Sequence, residues 1–137
     1  FYRKNLSKQE SEEIRRQLLV NWNFDGSYWE PLKKCSPRPF IFLFGGFLTK
    51  SDYEEISRII IQNSEAKIYG ISEDRKDIKI ESKNFKANDV YETVYTDHTL
   101  DWIFYGSHED TIAIGGEKQI AAIRAYLKER AEIINKW

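Results

Sequence analysis

The chain has 137 residues, a formal net charge of −1, and side chains that are 41% apolar and 31% charged. These values describe a single globular domain over 1–137, long enough to bury roughly two-thirds of the surface its unfolded chain exposes. No run approaches the roughly 18 apolar residues of a membrane-spanning helix, and the near-neutral balance argues against a general nucleic-acid binder, which carries a basic excess.

Cys35 is the only cysteine, so an internal disulfide is impossible. Beside Lys33 and Lys34 it reads as a spare loop thiol, and a reducing, cytoplasmic setting is expected. No signal peptide is visible. The chain starts at Phe1 and holds no methionine, which points to further residues upstream.

Ser7 or Ser11 is placed to cap a first helix running to about Trp22, with Glu10, Glu12 and Glu13 near its positive end. Ile14, Leu18 and Trp22 fall on one stripe of that helix. Residues 21–39 read as a long connection, because Asp25-Gly26 signals a turn and Pro31, Pro37 and Pro39 forbid regular structure. Its aromatics, Trp22, Phe24, Tyr28 and Trp29, are expected to pack on the body as a lid over one end of the core. Phe40–Phe44 is a continuous apolar run, the pattern of a central strand buried on both faces. Gly45-Gly46 ends it, and Ser51 and Glu54 form a capping box for a helix to about Gln62 whose Ile56, Ile59 and Ile60 face the core.

Lys67–Ser72 and residues 77–82 make a hairpin around 73–76, the second arm alternating charged and apolar residues as an edge or near-edge strand does. Residues 84–99 are ambiguous; Val90, Tyr91, Thr93, Val94 and Tyr95 favour a strand. A further hairpin pairs a strand over 100–106 with one over 111–114 across the turn 107–110. Period-two alternation puts Leu100, Trp102 and Phe104 on one face of its first arm and Asp101, Ile103 and Tyr105 on the other. After Gly115-Gly116 a long helix carries Ile120, Ile123, Leu127 and Ile134 at helical spacing. The expected fold is α+β: a mainly antiparallel sheet of about five to six strands, with three helices (N-terminal, middle, long C-terminal) on one face or at its ends.

No motif specifies catalysis. His98 and His108, the two histidines, sit beside carboxylates in Asp97-His98 and His108-Glu109-Asp110, and with Asp101 they could serve a divalent metal or acid–base chemistry in a small hydrolase. The spacing matches no strong ligand pattern, and His108, Glu109 and Asp110 occupy a hairpin turn where polar residues serve solvation. Ser107 lacks a nucleophile elbow. Gly115-Gly116 matches no phosphate-binding loop, and Glu117 complements the helix dipole where a phosphate would sit. No metal or cofactor is expected.

The charge distribution is more informative. Residues 87–117 contain no lysine or arginine but seven carboxylates: Asp89, Glu92, Asp97, Asp101, Glu109, Asp110 and Glu117. Interleaved with Tyr91, Tyr95 and Tyr105, this stretch reads either as a solvated face or as a docking surface for a basic protein, its carboxylates speeding association and its tyrosines anchoring. The expected contact residues are Glu92, Asp97, Asp101, Tyr105, His108, Glu109 and Asp110. A third reading makes the aromatic loop between Trp22 and Trp29 a self-association surface of a structural subunit.

The run Trp102-Ile-Phe-Tyr-Gly-Ser107-His108-Glu109-Asp-Thr111, a W-x-x-x-x-S-H-E-x-T hairpin followed by glycines and an amphipathic helix, resembles the C-terminal part of small bacterial immunity proteins. These accompany contact-dependent-inhibition and other polymorphic toxins. The resemblance covers about a quarter of the chain, and its residues serve the fold more than they mark a contact surface. It implies a non-catalytic cytoplasmic protein, monomer or weak dimer, that binds and neutralises one cognate toxin, often a nuclease, with no nucleic-acid or membrane partner of its own.

Overall fold

A computed structural model describes residues 2–30 and 38–136. Seven strands form one open sheet: β1 (Arg3–Asn5), β2 (Phe40–Phe44), β3 (Lys67–Ser72), β4 (Ile78–Glu81), β5 (Thr93–Thr96), β6 (Ile103–Gly106) and β7 (Thr111–Gly115). Their order is β1-β4-β3-β5-β6-β7-β2, and every neighbouring pair is antiparallel. Among the described residues three α-helices accompany it, α1 (Lys8–Trp22), α2 (Lys50–Gln62) and α3 (Glu117–Leu127), and a 3-10 stretch over Lys128–Ile133 follows the last. The class is α+β, as expected. The strand beyond the expected six is β1, whose three exposed residues carry no apolar signal and become a strand only by pairing with β4.

The helices lie on both faces of the sheet, a correction to the expected placement on one face or at its ends. On one side α2 and α3 bury Ile56, Ile60, Ile120 and Ile123 against Ile41, Leu43, Phe104, Ile112 and Ile114. On the other, α1 and the loop after it bury Ile14, Leu18, Trp22, Phe24 and Trp29 against Ile71, Val94, Ile103, Tyr105 and Ala113. The reason is visible in β6 and β7, where every residue is buried: strands apolar on both faces need cover on both. The expectation for β2 is corrected too: it sits at the edge of the sheet, with Ile41 and Leu43 buried on one face and Phe40, Phe42 and Phe44 only half-buried on the other.

Local signals explain the helix ends. Ser7 and Glu10 form a reciprocal capping box at the start of α1, and Asn23, at φ 55°, ends it in the left-handed conformation. α2 is capped two residues earlier than the expected Ser51, by Thr49 with Asp52. Its stripe of Ile56, Ile59 and Ile60 does face the core. Gly116 begins α3 at φ 123°, a conformation that disfavours a side chain. A Cβ on Gly115 would lie 2.4 Å from the Trp22 ring, so the bare glycine lets the end of α1 rest on β7. Asp77, expected on the wet side of its strand, is instead buried. It accepts hydrogen bonds from Arg15 Nε (2.8 Å), Arg15 Nη2 (2.7 Å) and the Ser11 hydroxyl, which tie α1 to the β3–β4 turn.

The aromatic loop packs on the body, as expected, but over the sheet face beside α1. Trp29 donates to the Trp22 carbonyl at 2.9 Å and meets Tyr105 edge-on at 6.3 Å. With Trp22, Phe24 and Trp29 fully buried in the chain's own core, they do not form a self-association surface. Cys35, with Lys33, Lys34, Pro31 and Pro37, lies outside the described residues. No helix among the described residues is long and apolar enough to cross a membrane.

Candidate interaction surface

The antiparallel order gives the sheet two distinct ends. The β3–β4 and β6–β7 turns, the start of β5 and the end of β2 share one end; the β5–β6 turn, the α2–β3 loop and the start of α3 share the other. The expected contact residues divide between them. Glu92, His108, Glu109 and Asp110 lie at the first end, Asp97 and Asp101 at the second, and Tyr105 inside the sheet.

At the first end, Glu92 takes φ 48° and bridges two strands through its backbone. Its N–H donates to the Gly106 carbonyl at 2.6 Å and its own carbonyl accepts from Glu73 N at 2.9 Å. That twist sends the half-buried Glu92 side chain outward, where His108 Nδ1 stands 3.5 Å from Glu92 Oε1 and His108 Nε2 lies 3.9 Å from Glu109 Oε1. The turn is shaped by Ser107, whose buried hydroxyl contacts the Thr111 hydroxyl at 2.7 Å and accepts the Glu109 N–H at 3.0 Å. Ser107 is thus a turn-forming residue. Tyr28 reaches across from the aromatic loop, its ring edge-on to His108 at 5.4 Å and its hydroxyl 3.2 Å from Glu109 Oε2. Burial and the Glu109 carboxylate together raise the Tyr28 pKa.

Beside this turn, Asp89, Tyr91, His108 and Asp110 line a shallow hollow of about 320 Å³. Tyr91 is 65% exposed, second only to Val20 among the large hydrophobic side chains of the described residues. The neighbouring β3–β4 turn carries Arg75 and Lys76, and Lys76 faces Asp74 at 3.8 Å. The rim therefore joins four exposed or half-exposed carboxylates (Asp89, Glu92, Glu109 and Asp110) to one projecting aromatic ring.

Two expected contact residues are removed from any surface. Tyr105 is 1% exposed; its ring fills the core under Trp29 and its hydroxyl donates to Glu73. Burial first, and Glu73 second, push that phenol far above the ordinary tyrosine range. Asp97 is also 1% exposed. Its Oδ2 accepts from Trp102 Nε1 at 2.8 Å and from the Glu65 N–H at 3.0 Å, and its Oδ1 accepts from the Thr99 N–H at 3.0 Å and the Thr99 hydroxyl. Burial alone would raise its pKa, yet the hydrogen bonds from Thr99, Glu65 and Trp102 outweigh it and the net shift is downward. Asp97 is a structural junction between the β5–β6 turn and the α2–β3 loop.

Asp101 is exposed, but at the far end, beside a polar groove of about 560 Å³ whose walls also include Arg38, Glu65, Thr99, Glu117 and Lys118. Leu100, at φ 57°, breaks the expected alternation: its side chain enters the α1-side core with Ile103, not the face of Trp102 and Phe104. Its carbonyl accepts from both Trp22 Nε1 (2.9 Å) and Arg38 (2.8 Å), whose guanidinium lies 4.1 Å over the Trp22 ring.

His98 follows β5 at the far end, whereas His108 is at the first end, so the two histidines do not form the joint acid–base or metal constellation considered above. Among the described residues no group of three or more His, Cys, Asp or Glu side chains is placed to hold a metal ion.

Asp89 and Tyr91 were absent from the expected contact set. Their stretch reads as strand from its β-branched and aromatic residues, but it forms a 3-10 turn (Ala87–Asp89) and a bend that leave both side chains outside. Asp97 did carry a signal: an Asp followed by Thr two residues on is the pattern of a turn closed by its own side chain. No family model matches the chain, and neither a curated protein nor a solved structure matches it.

Proposed function

We propose that the protein is a non-catalytic cytoplasmic immunity protein that binds and neutralises a cognate toxin bearing a basic, nucleic-acid-handling cleft. The observation that supports this reading is the rim: Asp89 and Asp110 line a hollow with the exposed Tyr91, and Glu92 and Glu109 flank His108 at the same end of the sheet, in a stretch without lysine or arginine. Carboxylates held on rigid turns can occupy positions that phosphates would take in such a cleft, and they accelerate encounter with it. A projecting tyrosine supplies the apolar anchor that charge alone lacks. The contact set is accordingly smaller than the sequence suggests: Glu92, His108, Glu109 and Asp110, extended by Asp89 and Tyr91.

The test is protection. Co-expression with the C-terminal domain of a large secreted protein encoded immediately upstream should restore growth. The Glu92→Lys, Glu109→Lys, Asp110→Lys triple variant should melt like the parent yet fail to protect. Full protection by the triple variant would place the contact elsewhere, and a gene without such a neighbour would remove the reading.

A further inference from the structure

The sheet has two edges, and they are guarded differently. β1 is three exposed residues long and carries Arg3 and Lys4, so shortness and charge discourage pairing with another chain. β2 is apolar throughout, Phe-Ile-Phe-Leu-Phe, which is the composition that invites edge-to-edge pairing.

In an antiparallel pair the backbone groups of alternate residues point to opposite sides. The N–H and C=O of Phe42 point away from β7, and both are taken by one residue. Asn135 Oδ1 accepts the Phe42 N–H at 2.9 Å, and the Asn135 N–H donates to the Phe42 carbonyl at 2.8 Å. A neighbouring strand would make the same two bonds at that position. Asn135 is at φ 60°, a left-handed conformation asparagine tolerates better than most residues. The segment before it is anchored twice, by Ile134 buried in the core and by Arg130, which grips Asp52 with Nη1 at 2.9 Å and Nη2 at 2.7 Å.

We propose that residues 134–136 are an edge guard that keeps β2 from pairing with β2 of a second copy of this chain. A second copy is the fitting occupant because the register is self-complementary. An antiparallel pair centred on Phe42 sets Phe42 opposite its counterpart and Phe40 opposite Phe44, with the outward groups of all three in the ladder. Phe47, which is 40% exposed and edge-on to Phe44 at 5.5 Å, adds apolar surface just beyond the end of this strand. The inference is independent of the toxin reading, since the rim and this edge use different residues.

Sedimentation velocity on the full chain tests it. The parent should sediment as one chain, and Asn135→Pro, which loses both the N–H and the side-chain acceptor, should shift toward a mass of two chains as concentration rises. Adding Phe42→Lys sets like charges opposite one another across the new pair and should restore the single-chain mass. Hydrogen exchange gives a second readout that does not need Asn135→Pro to fold: at a dilution where both are single chains, the Phe42 amide should exchange slowly in the parent and much faster in Asn135→Gly. A parent that already dimerises, an Asn135→Pro variant that stays at one chain, a dimer indifferent to Phe42→Lys, or a Phe42 amide unprotected in the parent would each overturn the proposal.

Discussion

Asp97 and Glu109 come from the same stretch devoid of lysine and arginine, and the structure gives them opposite work. Asp97 is sealed at the far end of the sheet beneath four donors, while Glu109 stands on a hairpin turn at the other end, its half-exposed carboxylate beside Tyr28 and His108. What separates them is the supply of donors. The β5–β6 turn folds back on Asp97 with the Thr99 N–H and the Trp102 indole, and the α2–β3 loop adds the Glu65 N–H; the β6–β7 turn satisfies its own amides with the Ser107 hydroxyl and leaves the Glu109 side chain facing outward. A shared charge pattern does not imply a shared surface.

The contrast can be broken most severely at Asp97. Asp97→Ala leaves several buried donors without an acceptor, each costing about 1–3 kcal/mol, so urea denaturation should show a loss of roughly 3 kcal/mol or more. Trp102→Phe removes one charge-assisted bond to the same carboxylate and should cost about 2 kcal/mol by the same measurement. Arg130→Leu breaks the clamp on Asp52, but Arg130 is 41% exposed and water replaces part of what it supplies, so about 1–2 kcal/mol is expected.

Acid provides a second probe of the buried side. Arg130 holds the Asp52 carboxyl well below the usual carboxylate range, and Asp97 is lowered by its donors. Because both folded values lie below the unfolded ones, the stability these groups contribute is complete above the ordinary carboxylate range and is lost as pH falls through their folded values. Melting temperature should therefore drop steeply in acid for the parent, and less so for Asp97→Ala, which has already forfeited one of the two contributions.

The smallest effect on stability is expected at the rim. Glu92→Gln and Glu109→Gln should move the melting temperature by no more than about 2 °C, since surface changes away from buried networks are nearly neutral. Their signature is kinetic: with a basic partner, stopped-flow association at low salt should slow while dissociation changes little, and added salt should erase the difference. A large loss of stability in these variants would make the rim a structural feature like Asp97.

Much of the framework is legible in the amino-acid sequence. The stripe Ile14, Leu18, Trp22 identified α1, the apolar run at 40–44 identified β2, and the Gly115-Gly116 break announced α3. Other features are not. β1 has no pattern of its own, and β2 reads as central because its half-buried face is made of phenylalanines, which gives an edge strand the composition of an interior one. Leu100 escaped because β6 starts only at Ile103, and Leu100 belongs to the turn before it, where a left-handed backbone and not strand alternation sets the direction of its side chain. Within the contact set, exposure of His108, Glu109 and Asp110 followed from turn chemistry, whereas burial of Asp97 and Tyr105 depended on partners distant in sequence, Glu65 and Glu73.

What the amino-acid order determines by itself here is local: where helices start and stop, which residues alternate, and that 87–117 carries no positive side chain. Those properties depend on neighbours within a turn or two, so they can be read along the chain. Which carboxylates meet water, which strand becomes an edge and what closes that edge were decided only by tertiary structure. Each depends on hydrogen-bond donors and apolar faces brought together from distant parts of the chain, as Asn135 is brought to Phe42.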